Sequence, residues 1–214
     1  EFTFYWLSGG AGEGYNSFGT PYLADISRSP NFDFLAASTL TLNASTGFSD
    51  LQPNTLYHAR AAAYGFNGRT WTAFTQLGST ATAAPAPGFA ESTFTALSTS
   101  GVSVHWTANG NPLGTTYYLQ VSTLASFDPA WASTRPFDAD ARFSGLAPNT
   151  TYHARVAAYS LHSGTWTSFV GLGAAATLAN PPVSAAASAV FLSSISMGWT
   201  LNDNPPGTVY EAQV

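Results

Sequence analysis

The run Leu51-Gln-Pro-Asn-Thr-Leu-Tyr-His-Ala-Arg-Ala-Ala-Ala-Tyr64 returns as Leu146-Ala-Pro-Asn-Thr-Thr-Tyr-His-Ala-Arg-Val-Ala-Ala-Tyr159, 95 residues further on. Nothing else in the chain constrains its fold as strongly, because an internal repeat sets the size of the folding unit before any element is assigned. Thr70-Trp71-Thr72 comes back as Thr165-Trp166-Thr167 at the same offset. A further marker occurs three times, as Gly19-Thr-Pro-Tyr22, Gly114-Thr-Thr-Tyr117 and Gly207-Thr-Val-Tyr210, and a Trp precedes each one: Trp6, Trp106 and Trp199. Trp and Gly are 8 residues apart in the second and third units and 13 in the first, where Ser8–Ser17 forms a Gly-rich insertion. A period near 95 is too long for a solenoid unit and suits a small β-sandwich domain.

Within each unit the apolar residues alternate with period 2, as half-buried strands require. Val102, Val104 and Trp106 share one face, with Ser103 and His105 on the other. Tyr117, Leu119 and Val121 repeat the pattern after the turn Asn109-Gly-Asn-Pro-Leu-Gly114. Tyr152, Ala154, Val156 and Ala158 point one way, and His153, Arg155 and Ala157 the other. No segment sustains a helical period, and Pro and Gly punctuate the chain throughout, so the fold class is all-β.

A Trp on the second strand, a Tyr opening the third, and Leu-x-Pro-x-Thr-x-Tyr leading into an alternating strand together resemble the fibronectin type III domain. The resemblance implies tandem immunoglobulin-like β-sandwiches of seven strands, as in bacterial-type arrays. It implies that Tyr57 and Tyr152 are tyrosine-corner residues and that Trp6, Trp106 and Trp199 are core tryptophans. The strand after the corner carries Ala where the family often has larger aliphatics.

Aligned on these markers, residues 1–84 form a first unit lacking its first strand, 85–179 a complete unit, and 180–214 a partial one with three strands. Those three are expected at Ala187–Leu192, Ser194–Thr200 and Val209–Val214. Linkers Ala83-Ala-Pro-Ala-Pro-Gly88 and Ala179-Asn-Pro-Pro182 are stiffened by Pro. A three-stranded third unit would expose Ile195, Met197, Trp199, Tyr210 and Val214, which invites association. Two explanations stand: a window on a longer array, or strands of another copy completing the sandwich in an end-to-end filament.

The chain has no Cys and no Lys. Disulfides, thiolate metal sites, Schiff-base chemistry and Lys–Asn cross-links are therefore excluded. Its six basic residues are all Arg, its net charge is −5, and only 8% of residues are charged. That balance offers no clustered cations for nucleic acid. No apolar run reaches the roughly 20 residues that span a bilayer.

His58 and His153 occupy equivalent places, each two residues before an Arg. A metal or anion site is one reading; alternation beside the corner Tyr favours an outward surface pair. Asp138 and Asp140 could serve Ca²⁺, yet their counterparts are Asn43 and Ser45, so the carboxylates do not repeat. No serine-hydrolase elbow, phosphate loop or His-Glu-x-x-His motif is present, and no cofactor or enzymatic activity is expected. Asn43-Ala-Ser and Asn149-Thr-Thr match the glycosylation sequon, the latter inside the corner turn. Tyr5, Tyr64, Tyr118 and Tyr159 fall on outward positions and, with His58 and His153, form the candidate interaction surface. The expected role is a spacer and interaction module of a secreted or cell-surface protein, its partners being flanking repeats or other copies. The alternatives are a glycan- or protein-binding module and an accessory region of an extracellular enzyme.

Overall fold

The computed structural model describes residues 2–8, 16–66 and 69–213. Most of the Gly-rich insertion, and Val214, lie outside them. Every regular element among the described residues is a β-strand. The chain divides into two compact units: Glu1–Pro85 with Gly110–Pro112 and Tyr159–Thr167, and Ala86–Asn109 with Leu113–Ala158 and Ser168–Val214. This division cuts across the repeats, because the hairpin tip at 159–167 groups with the first unit.

The first repeat contains β1 (Phe2–Tyr5), β2 (Tyr22–Ser27), β3 (Leu35–Thr41), β4 (Ser45–Phe48), β5 (Leu56–Gly65), β6 (Thr70–Trp71) and β7 (Thr75–Ala81). β1 pairs antiparallel with β4; the other sheet runs β3-β2-β5, with β6 and β7 following each other along the far side of β5. Ala24, Ile26, Phe48, Tyr57 and Ala59 are buried between the two sheets, and Phe2, Phe4 and Trp6 close over them from β1 and just beyond it. Trp6 is only half-buried, since among the described residues β1 and β4 alone make up its sheet.

The second repeat adds one strand. It comprises β8 (Gly88–Thr95), β9 (Gly101–Thr107), β10 (Tyr117–Ser122), β11 (Ala132–Thr134), β12 (Asp140–Ser144), β13 (Thr151–Ser160), β14 (Thr165–Trp166) and β15 (Val170–Ala176). The sheets are β12-β9-β8 and β11-β10-β13, with β14 and β15 along β13. The alternation read from the sequence becomes the core: Val102, Val104 and Trp106 from β9 meet Tyr117, Leu119 and Val121 from β10. The Trp106 and Tyr117 rings pack edge to face at 5.4 Å, as Trp6 and Tyr22 do at 5.6 Å. Each corner tyrosine bonds back to the turn before it, the Tyr57 hydroxyl accepting from Gln52 N–H and that of Tyr152 from Ala147 N–H, both at 3.0 Å. The small Ala side chains along β5 and β13 leave room for these aromatic rings.

One irregularity repeats as faithfully as the motifs. The register of β5 on β7 shifts between Ala59 and Arg60, and that of β13 on β15 between Ala154 and Arg155. Opposite each shift stands a glycine at positive φ, Gly78 at 97° and Gly173 at 91°, a conformation that β-bulges reserve for glycine. The bulge therefore sits next to the repeated Arg.

The third repeat corrects one expectation. Its strands are β16 (Val183–Val190) and β17 (Ile195–Thr200), paired as a hairpin; residues 209–213, where a third strand was expected, form none. Trp199, a core position by resemblance and one that an uncovered unit would expose, is half-buried, its ring 5.9 Å from that of Tyr210. Among the described residues no second sheet covers this hairpin. Ile195 and Met197 are exposed accordingly.

Candidate interaction surface

The outward face of the larger sheet is not the solvated surface that alternation suggests. Asp25 and Ser27 on β2, and Gln120 and Ser122 on β10, are all buried. What covers them is an arginine held between two phenylalanines. In the first repeat the Arg60 guanidinium lies 4.4 Å from the Phe32 ring centre and 3.9 Å from that of Phe74. In the second, Arg155 lies 4.3 Å from Phe127 and 4.2 Å from Phe169. A guanidinium between two ring faces gains cation–π attraction on both sides while its rim stays free for hydrogen bonds.

That rim is used differently in the two repeats. Arg60 donates from Nε and Nη2 to Asp25 Oδ2, both at 3.0 Å, and Ser38 Oγ donates to Oδ1 at 2.6 Å. Arg155 donates to the neutral Gln120 Oε1 at 2.7 Å, and Gln120 Nε2 donates to the Tyr118 hydroxyl at 3.0 Å. Tyr118 in turn packs on Phe169 at 5.7 Å and lies under Arg135. Of the candidate surface tyrosines, then, Tyr118 is part of this stack. Ser27 and Ser122 fasten the loops that present Phe32 and Phe127, donating to Phe34 O at 2.7 Å and Pro129 O at 3.0 Å.

Tyr64 and Tyr159 sit at the other end of the same sheets, edge to face with Trp71 and Trp166. Tyr64 also meets the exposed Phe66 at 5.5 Å. With Pro21, Leu40, Thr41, Leu42 and Trp71, Tyr64 lines an open groove of about 440 Å³. Its lining is largely apolar. Tyr5 is 76% exposed on β1. His58 and His153 are half-buried, opposite Ser27 and Ser122 in the register. Among the described residues no three His, Asp or Glu side chains come together as metal ligands do, and Asp138 and Asp140 are exposed. No helix long and apolar enough to cross a membrane occurs there either.

The corner asparagines do more than serve the turn. Asn54 and Asn149 both adopt φ 46°, and each side chain reaches far along the chain. In the first compact unit Asn54 Nδ2 donates to Tyr159 O at 3.0 Å, and Leu161 N–H donates to Asn54 Oδ1 at 2.9 Å. His162 Nδ1–H donates to Ala81 O at 3.0 Å, and Ala84 N–H to Ser160 Oγ at 3.3 Å. Asn149 Nδ2 donates to Thr208 Oγ1 at 2.9 Å, which leaves the sequon amide engaged.

A second pair of asparagines grips each linker. Asn109 Nδ2 donates to Ala86 O at 2.8 Å and Asn111 Nδ2 to Pro85 O at 2.9 Å. In the third repeat Asn202 Nδ2 donates to Pro181 O and Asn204 Nδ2 to Asn180 O, both at 2.8 Å. Side chains thus bond carbonyls of both linkers. An Asn-x-Asn-Pro turn 93 residues apart was the signal available for this in the sequence.

Residues 85–170 match the family model of the fibronectin type III domain. Similar solved structures include the FN1–FN3 domains of chicken CNTN1, at 18% identity and TM-score 0.39, covering 82% of this chain and 61% of that one. A two-domain fibronectin type III segment of chicken tenascin aligns at 14% identity and TM-score 0.49, covering 76% and 86%. No curated protein matches the chain. The molecule is a tandem β-sandwich protein. Its second repeat matches the fibronectin type III family model, and its first repeat carries the same markers 95 residues earlier.

Proposed function

We propose that the chain is a spacer and interaction module of a secreted or cell-surface protein, with linkers held in place by side chains of the following repeat. Fibronectin type III domains generally serve as structural and interaction modules in multidomain proteins. The observation that carries the reading here is the repeated asparagine grip on the linkers, Asn109 and Asn111 on one and Asn202 and Asn204 on the other. Linkers between domains are usually free segments; here side chains of the following repeat bond the linker carbonyls and order the linker itself. The apolar lining of the Tyr64–Trp71 groove favours a protein partner over a glycan within the interaction class.

Backbone ¹⁵N relaxation of the linker tests the spacer reading. The Ala86 amide is expected to be as ordered as those of β8, and Asn109→Ala with Asn111→Ala to mobilise it. A linker amide already mobile in the wild-type chain would refute it.

A further inference from the structure

Each larger sheet ends on one side in a strand with a single neighbour, β3 in the first repeat and β11 in the second. The edge belongs to the unit itself. In the second repeat the additional strand β8 pairs with β9 in the opposite sheet, and β11 still ends its own. Half the N–H and C=O groups along such a strand face away from the sheet, where they can template another chain. The two repeats treat that hazard differently. β11 has three residues and stops before Arg135 and Pro136, a charge and a residue with no N–H to donate. β3 runs for seven, Leu35-Ala-Ala-Ser-Thr-Leu-Thr41, and the positions matching Arg135 and Pro136 are Leu40 and Thr41. Its one irregularity lies at its start, between the pairs Ser27–Leu35 and Ile26–Ala37, and residues 37–41 pair with β2 in unbroken register. Residues 34–49 contain no charged side chain, whereas the equivalent 129–144 contain Arg135, Asp138, Asp140 and Arg142.

We propose that β3 pairs antiparallel with the β3 of a second copy of this chain, joining two first-repeat sheets into one about a two-fold axis. The occupant is argued from the strand itself. An antiparallel edge is complementary to itself, an isologous contact that closes at the dimer. Like charges set opposite each other ordinarily oppose such self-pairing, and β3 with its flanks carries none between Asp33 and Asp50. With the pairing centred on Thr39, the middle of the unbroken stretch, Leu40 stands opposite Ser38 and diagonal to the second copy's Leu40, within reach across the strands. Leu40 is 66% exposed and Leu42 64%, so pairing removes from water apolar surface that the monomer leaves there. The inference goes beyond the spacer reading and rests on different residues.

A single strand pair is a small interface, and small interfaces are weak. Sedimentation velocity of the 214-residue chain is expected to show a reversible monomer–dimer equilibrium between roughly 10 μM and 1 mM, with hydrogen exchange of the β3 amides slowing as dimer forms. Leu40→Lys and Leu40→Glu each change an exposed side chain and set like charges across the pair, so each variant alone should be monomeric over that range. An equimolar mixture of the two, with opposite charges facing, should dimerise again. A wild-type chain monomeric at about 1 mM, as expected if the edge receives a strand of another protein instead, would overturn the proposal. So would dimerisation unaltered in either variant, or a mixture that stays monomeric. Order of the Ala86 amide in the dilute chain reports the spacer reading independently of these results.

Discussion

Replacing Arg60 with alanine is expected to destabilise the first sandwich by about 3–5 kcal/mol at neutral pH, the range found when one partner of a buried ion pair is removed. Asp25 is 2% exposed and keeps only the Ser38 hydroxyl once the guanidinium is gone. Phe32 and Phe74 also lose the plane between them. The second repeat supplies the control. Arg155 sits in the same aromatic stack but bonds to neutral Gln120, so Arg155→Ala loses packing and one hydrogen bond, about 1–3 kcal/mol. The difference between the two variants measures the stranded charge. Combining Arg60→Ala with Asp25→Gln should bring the loss down to that of Arg155→Ala. Amide hydrogen exchange on β2 and β5, compared with β10 and β13, reads the two repeats separately in the intact chain. Equal losses in both would mean that the ion pair adds nothing to the stack.

Trp106→Ala is expected to cost the second sandwich a further large amount, about 3–5 kcal/mol, because truncating a buried aromatic leaves a cavity the core cannot close. The side chain is 3% exposed and lies against Tyr117. Trp199→Ala, at the matching position of the uncovered hairpin, should cost under about 1 kcal/mol, as a change away from a packed core does. Trp106→Phe provides a finer test. The indole Nε1 of Trp106 is buried with no hydrogen-bond partner, so phenylalanine removes an unsatisfied donor along with some volume. Its expected cost is about 1–2 kcal/mol, well below that of alanine. Urea unfolding of the full chain, followed by exchange on β9 and β10, distinguishes these outcomes. A Trp106→Phe loss as large as that of alanine would show that the N–H is satisfied.

What could be read from the sequence follows from how each feature is encoded. The sandwich core is written locally: Val102, Val104 and Trp106 announce themselves by alternation, and the corner tyrosines by a contiguous motif. The arginine stack is written across distance. Phe32 and Phe127 lie in loops at φ 58° and 57°, and Phe74 and Phe169 immediately precede β7 and β15. No period connects any of them to Arg60 or Arg155, so alternation places those arginines in solvent. Only the common offset of 95 among all four phenylalanines and both arginines carried the signal. Asn54 and Asn149 were legible as turn residues, because φ 46° demands a residue such as Asn, but their bonding partners are 59 to 107 residues away. The missing strand at 209–213 has a different cause. Alternation there is favourable, yet a strand needs a neighbour to pair with, and pairing is a property of the assembled sheet.

The central claim, that side chains hold the linker, is most directly tested on the linker itself. The chain has no Cys, so a cysteine placed at the half-buried linker position Ala86 would be its only thiol and could carry one spin label. Its electron paramagnetic resonance spectrum should show restricted motion, released when Asn109 and Asn111 are both replaced by Ala. A label already freely mobile in the otherwise wild-type chain, unchanged by those replacements, would contradict the account.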